Sequence, residues 1–413
     1  MLLAALAASA QLTIDITTSG GRQIPIAVMP MAGEASQPQS VSEVVSSDLA
    51  RTGLFRLVNT VGVSPLPTEP SEVNFADWTA RTAETLVIGK IEGQGDRVEV
   101  RFRLFDVQKQ SQLASYSYVV SPQQLRATGH RIADLIYERL TGDKGVFSTK
   151  ITYVVKRASR FELQVADADG FNAQAVVASN EPIMSPSWSP DGSRLAYVSF
   201  DQKKPVVVVQ NLAQGTTRVL ANYRGNNSAP AWSPDGQYLA VALSKDGLTQ
   251  VYRVPASGGE AERLTDSPGI DTQPAYSPDG QWIAFTSDRG GSPQIYRMPA
   301  TGGAAQRLTF EGTYNVGPRF SPDGKLVAYV QRDGGRYRIA TMELANGQIQ
   351  VLTEGSLDDS PTFAPNGKMI LYEAQVNGRG QLAAVSGDGR VRQRLTSAAG
   401  DVQDPAWGPM PTN

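Results

Sequence analysis

Pro274-Ala-Tyr-Ser-Pro-Asp-Gly280 is one of six related stretches that decide the fold. The others are Pro186-Ser-Trp-Ser-Pro-Asp-Gly192, Pro230-Ala-Trp-Ser-Pro-Asp-Gly236, Pro318-Arg-Phe-Ser-Pro-Asp-Gly324, the looser Pro361-Thr-Phe-Ala-Pro-Asn-Gly367, and Pro405-Ala-Trp-Gly-Pro409. Their second prolines stand at 190, 234, 278, 322, 365 and 409, in steps of 44, 44, 44, 43 and 44. A period in the forties with aromatic and glycine signatures is that of a four-stranded propeller blade. Within each copy proline presets φ, Asp or Asn accepts the next turn position, and Gly takes the left-handed conformation that closes the hairpin. The aromatic residue is expected to pack between neighbouring sheets.

The segments after each complete turn read as strands: Leu195–Val198, Leu239–Ala242, Ile283–Thr286, Val327–Val330 and Ile370–Glu373. They are apolar on both alternating faces, as in sheets covered on both sides. Third strands follow at Gln250–Val254 and Gln294–Met298, and fourth strands at Ala261–Thr265, Ala305–Thr309 and Arg392–Thr396. Upstream, Ile151–Val155, Phe161–Val165 and Asn172–Val176 make three strands lacking a fourth. The C-terminal strand before Pro409 should complete them. The expected architecture is a six-bladed β-propeller over residues 150–410, with no exposed edge at its closure.

Residues 11–145 lack the period and read as a small mixed α/β domain. Strands are expected at 12–17, 23–29, 54–59, 85–92, 97–106 and 112–120, and helices near 40–51, 74–83 and 122–141 on one side of the sheet. The last helix carries a stripe of Leu125, Ile132, Leu135, Ile136 and Leu140, with Ser121 as its cap. Residues 142–149 form a short connector. Residues 1–10 are apolar or small and end in Ala8-Ser9-Ala10, which reads as a signal-peptide remnant cut before Gln11. No stretch approaches the length of a membrane helix, so the mature chain is expected to be exported.

Composition narrows the chemistry. The formal charge is −2 without a basic stripe, against nucleic-acid binding. There is no cysteine and one histidine, His130, which excludes thiolate sites and multi-histidine zinc centres. His130 reads as structural, and Trp78 and Tyr116 as core. Asp167-Ala-Asp169-Gly170 lacks the later acidic ligands of a calcium loop and reads as a turn. No Gly-x-Ser-x-Gly elbow appears. No cofactor or catalytic residue is expected.

Polar residues just ahead of the innermost strands are the candidate binding groups. Three residues before the motif proline stand Asn227, Asp271, Asn315 and Asp358, with Asp401 and Asp404 near the same place in the last copy. Second-to-third-strand loops add Lys245, Asp288, Arg289 and Arg332. Together they are expected at one mouth of the central channel, as a polar, partly acidic ring for a partner.

The Ser-Pro-Asp-Gly repeats, Gln294-Ile-Tyr-Arg297, Gln306-Arg-Leu-Thr309 and the opening Leu12-Thr-Ile-Asp-Ile-Thr17 with Gln23-Ile-Pro-Ile-Ala-Val-Met-Pro30 resemble the TolB family. These are periplasmic propeller proteins of the Tol–Pal system. The resemblance spans residues 11–413. It implies a monomeric adaptor that binds the lipoprotein Pal at the channel mouth and TolA through Gln11, Leu12, Thr13, Ile14, Asp15, Ile16 and Thr17. It also implies support of outer-membrane integrity and constriction at division, with colicins using the protein for entry in some species. The competing readings are an exported propeller peptidase or hydrolase, and a small-ligand or polysaccharide sensor whose channel would be lined by aromatic groups.

Overall fold

The computed structural model describes residues 13–18, 20–396 and 400–411. The chain divides into two compact units, Ile16–Ser148 and Met1–Asp15 with Thr149–Asn413. The expected signal remnant, Gln11 and Leu12 lie outside the described residues.

In the first unit a five-stranded mixed sheet has the spatial order Phe55–Leu57, Ile24–Val28, Thr85–Gln94, Arg97–Asp106, Ser111–Val120. Its first three strands run parallel and the rest antiparallel. Alternation along Ile24–Val28 explains why both faces need cover: Ile26 and Val28 point to one side, Ala27 to the other. Helices α1 (Val41–Arg51) and α3 (Leu125–Thr141) pack on the first face around Val41, Leu49, Phe102, Ile132 and Ile136. The short α2 (Phe75–Ala80) covers the second with Trp78, Leu86 and Ile88. Helices therefore lie on both sides rather than one. Trp78 is core, but Tyr116 is 48% exposed and stacks on Phe102 at 5.8 Å, because it sits on an edge strand. His130 is buried against Asp48, with Nδ1 2.5 Å from a carboxylate oxygen.

The second unit is a propeller of six antiparallel sheets. Blade 1 joins Lys150–Arg157, Arg160–Asp167 and Gln174–Ser179 to the C-terminal strand Asp401–Trp407. Blades 2 to 6 follow as 183–221, 227–263, 271–307, 314–351 and 358–396. Each blade interface holds one apolar cluster. Between blades 2 and 3 it includes Val207, Val209, Trp232 and Tyr252; between 6 and 1, Ile151, Tyr153, Leu371 and Leu382. Full burial of one such side chain is worth about 1.5–3 kcal/mol, so the ring is held by its wedges. The motif tryptophans stitch blades as well as fill them: Trp232 Nε1 donates to the Ser187 carbonyl and Trp188 Nε1 to the Ala406 carbonyl, each at 3.2 Å.

The innermost strand of every blade breaks register one residue before its motif proline. Ser185, Ala229, Gln273, Gly317, Ser360 and Asp404 all have φ between 49° and 65° there. A proline cannot donate to a ladder, so the strand bulges around it. Five of the six are not glycine, at a strain of about 1–3 kcal/mol each, which the closed ring holds in place.

The Ser-Pro-Asp-Gly turns are braced from within. Ser277 Oγ donates to Asp279 at 2.5 Å, Asp279 accepts the Gln281 amide at 3.0 Å, and Ser277 Oγ accepts the Trp282 amide at 2.9 Å. In the looser copy Asn366 accepts the Lys368 amide at 3.1 Å. Gly280 has φ 70°, and a Cβ there would meet only ordinary contact, with Pro234 at 3.8 Å. Gly280→Val should therefore cost about 1–3 kcal/mol through backbone strain alone, and Asp279→Asn much less. Urea unfolding of both variants checks this; equal losses would give the carboxylate a role beyond the turn.

Closure is the second test. Asp401–Trp407 pairs with Lys150–Arg157, Val402 opposite Val155 and Trp407 opposite Ile151. Deleting residues 400–413 should remove the innermost strand of blade 1, open the ring and abolish a single cooperative unfolding transition. A truncated chain as soluble and as cooperative as the full one would refute this role.

Candidate docking face

In each blade the chain descends the innermost strand, turns at the motif, and rises again. The loops linking blades and the second-to-third-strand hairpins therefore share one face, and the Ser-Pro-Asp-Gly turns share the other. The ten propeller residues singled out from sequence all belong to the first face or to the channel wall beneath it.

Their side chains do not form the expected open ring. Asn227, Asp271, Asn315 and Asp358 are at most 3% exposed. Asn227 accepts the Tyr223 amide at 2.8 Å and donates to the Tyr223, Gly225 and Pro205 carbonyls. Asp271 pairs with Arg289 at 2.7 Å and accepts from Ser267 Oγ at 3.0 Å. Asn315 donates to Gln294 Oε1 and the Glu311 carbonyl at 2.7 and 2.8 Å. Asp358 bonds Thr353 and the Gly355 amide, and burial raises its pKa. A loop that must reverse into an innermost strand leaves backbone groups without ladder partners; Asn227, Asn315 and Asp358 supply them, and Asp271 ties its loop through Arg289 and Ser267. They brace the loops from beneath.

The hairpin residues reach the surface. Lys245 pairs with Asp246 at 2.8 Å and lies over the rings of Tyr223 and Tyr252. Arg289 lies over Phe285 and Tyr296, and Arg332 over Tyr337 at 5.5 Å. Asp288 accepts the Ile270 amide at 2.6 Å, tying a hairpin to the neighbouring loop. Leu248, Ile270, Phe310 and Leu357 are exposed apolar groups on the same loops.

Asp401 and Asp404 belong to a cluster on blades 5, 6 and 1. Asp401 accepts the Gly380 amide at 2.5 Å. Asp404 accepts the Ser185 amide at 2.9 Å and Ser360 Oγ at 3.1 Å, while its own amide donates to Glu373 at 3.2 Å. Asp359 and Arg319, neither expected from sequence, complete the cluster: burial raises the Asp359 pKa and lowers that of Arg319, which Asp404 and Asp359 partly offset. Glu373 was also missed. Burial first, then the neighbouring Asp404, push its carboxyl up to about 8. Aligning the repeats exposes it, because Val198, Ala242, Thr286 and Val330 hold its place in other blades. Beyond the cluster, toward the turn face, a space of about 240 Å³ is walled by Pro186, Pro230, Pro274, Trp188 and Trp232.

Two family profiles match. "TolB beta propeller domain" covers residues 137–411 and "TolB amino-terminal domain" residues 12–113. The chain belongs to the TolB family. It is 64% identical to the Tol-Pal system protein TolB of Aromatoleum aromaticum over 99% of this chain and 97% of that one. Identity to the same protein of Methylobacillus flagellatus is 60% over 98% and 94%. A TolB-family crystal structure from Acinetobacter baumannii superposes with a TM-score of 0.89, at 39% identity, covering 97% of this chain and 100% of its own. A chain of a nidogen/laminin complex, 13% identical with a TM-score of 0.54 over 64% of this chain, shares the propeller alone. TolB-family membership places the chain in the Tol–Pal system.

The raised Glu373 pKa has a testable consequence. Between about pH 4.5, where an unfolded glutamate loses its proton, and about pH 8, the native chain holds a proton that the unfolded chain does not. This group therefore makes stability fall as pH rises through that window. Glu373→Gln should flatten that fall, and denaturant unfolding from pH 5 to 9 measures it. An unchanged pH slope would mean that Glu373 is ionised in the channel.

Proposed function

We propose that this chain is a non-catalytic periplasmic adaptor that holds the lipoprotein Pal on the loop face of its propeller and TolA on its N-terminal segment. In that role it supports outer-membrane integrity and constriction at division, and offers colicins a route of entry. The observation that carries the first half is a rigid frame whose loops are braced from beneath, leaving Lys245, Arg332, Leu248 and Ile270 on one surface around one channel. Binding usually resides on loops positioned in this way. Family membership supports the choice of partner.

The second half rests on an edge. Thr13–Thr18 forms the outermost strand of the blade 6 sheet, beside Val391–Thr396, and Asp15, Ile16, Thr17 and Thr18 are exposed. An extended segment with one unpaired edge is suited to adding a partner strand. Gln11 and Leu12 lie outside the described residues.

Against the peptidase alternative stands His130, the only histidine, buried against Asp48 in the N-terminal unit. No helix among the described residues is long and apolar enough to cross a membrane.

Two variants separate the surfaces. In titration calorimetry, Leu248→Asp with Arg332→Glu should weaken Pal about tenfold and leave TolA unaffected, since exposed loop substitutions change stability little. Deleting residues 11–21 should abolish TolA binding. Wild-type Pal affinity in the first, or wild-type TolA affinity in the second, would overturn that half of the reading.

A further inference from the structure

The six-fold repeat provides an internal comparison of the loop face. Aligned by the repeat, one position of the sequence holds Asn180, Asn222, Asp266, Phe310, Glu354 and Ser397. Five are polar. The sixth is a phenylalanine with 73% of its surface exposed.

What Phe310 replaces is visible one blade earlier. Arg263 ends blade 3; its Nε donates to the Thr265 carbonyl at 2.8 Å and its other arm pairs with Asp266 at 2.7 Å. Arg307 ends blade 4 in the matching place, and its Nε donates to the Thr309 carbonyl at 2.6 Å. There the likeness stops. Position 310 holds no carboxylate and the next residue, Glu311, makes no ion pair with Arg307; Arg307 has no ion-pair partner among the described residues, and its guanidinium lies 5.2 Å from the Phe310 ring centroid. The fork is held as in blade 3 but its acid is missing, and an exposed ring stands in its stead.

Neighbouring loops continue the apolar character. One residue ahead of each bracing position stand Pro182, Asn226, Ile270, Tyr314, Leu357 and Asp401. The apolar run Ile270, Tyr314, Leu357 falls on the starts of blades 4, 5 and 6, and Phe310 belongs to the loop in the middle of that run. Ile270 and Leu357 are 45% and 44% exposed. As an internal feature the pair contributes little, since an exposed cation–π contact is worth roughly 0.5–1 kcal/mol and an exposed ring buries little area. As a receptor it combines an aromatic and an arginine, the residue types that dominate interface hot spots.

We propose that Arg307 and Phe310 anchor a partner that presents an acidic side chain beside an apolar one. The partner's carboxylate occupies the place on Arg307 that Asp266 occupies on Arg263, and its apolar side chain rests on Phe310 between Ile270 and Leu357. The charge left unanswered on Arg307 selects an acidic segment over a basic or neutral one. This anchor rests on the reading of the loop face as the docking surface, and its occupant is the protein docked there.

The repeat also supplies the decisive variant. Phe310→Asp rebuilds in blade 4 the Arg–Asp pair of blade 3, so the chain should fold and melt as wild type while losing the receptor. Titration calorimetry uses the full chain and the soluble domain of the Pal lipoprotein from the same cell. Phe310→Asp and Arg307→Gln should each weaken binding about tenfold or more, and Arg307→Gln should also reduce its salt dependence. Asp266→Asn, which removes only the blade 3 acid, should change affinity less than twofold. Wild-type affinity in Phe310→Asp and Arg307→Gln, with loss in the Leu248→Asp/Arg332→Glu chain, overturns the anchor and leaves the docking face standing. Wild-type affinity in all three overturns the docking face itself. Sedimentation adds a last arm: a wild-type dimer abolished by Phe310→Asp would make a second copy the occupant, and would equally overturn the anchor.

Discussion

The pairing of Asp401–Trp407 with Lys150–Arg157 is the contact on which the propeller depends. Each blade is a small sheet that buries neither of its faces alone. Every wedge between blades needs two sheets, so the wedge of blades 6 and 1 exists only if the first and last strands of the propeller meet. Removing the join would expose Ile151, Tyr153, Leu371 and Leu382 together and free strand edges on one blade. The join is correspondingly reinforced. Trp407 Nε1 donates to Thr149 Oγ1 at 2.8 Å, and Asp401 holds the Gly380 amide of blade 6. Glycines flank the strand where backbones crowd: a Cβ at Gly400 or Gly408 would lie 2.7 or 2.9 Å from the Lys156 or Lys150 carbonyl oxygen. Because the contact spans about 250 residues of sequence, it is also the one that loop-closure entropy opposes most.

A closed ring can store strain that an open sheet would release. The left-handed residues before the six prolines are an example, since the backbone there is fixed from both sides by neighbouring blades. Their consequence is chemical. Each bulge aims an amide away from its own ladder, and Ser185, Gly317, Ser360 and Asp404 find side-chain acceptors in Asp404, Gln273, Asp359 and Glu373. The acids that crowd blades 6 and 1 are thus tied to backbone geometry. That explains how Glu373 and Asp404 come close enough for one to keep its proton.

The propeller was legible because its turn chemistry recurs with little variation, and the closing strand because three strands at one end lacked a partner that the other end carried. The loop face was harder. Polarity marked Asn227, Asp271, Asn315 and Asp358, yet a polar residue in a tight loop serves a partner or the loop's own amides, and composition does not distinguish the two. Here the backbone took Asn227, Asn315 and Asp358, while Arg289 and Ser267 took Asp271. Tyr116 was misjudged for the related reason that an alternating strand looks the same at an edge as in the middle of a sheet. The more telling positions were those where one repeat departs from the others. Glu373 stands where Val and Ala are usual and Phe310 where Asn, Asp and Glu are usual, and both exceptions are written in the sequence itself.

Edge length narrows where the N-terminal strand can go, which no local pattern disclosed, to blades 1, 2 and 6, whose outermost strands run six, five and six residues. Outermost strands in blades 3, 4 and 5 are two, two and three residues long, too short to template another chain. Short edges are a common defence against unwanted pairing. The outermost strand of blade 6 runs six residues, Val391–Thr396, and it is there that Thr13–Thr18 pairs. The described part of the segment proposed for TolA, residues 13–17, is thus already in a strand, held by main-chain bonds on one edge and open on the other. A partner that adds to the open edge leaves blade 6 intact. A partner that takes the strand away must first replace those bonds and leaves a six-residue edge exposed, so the second route asks more of the partner's own sheet than the first.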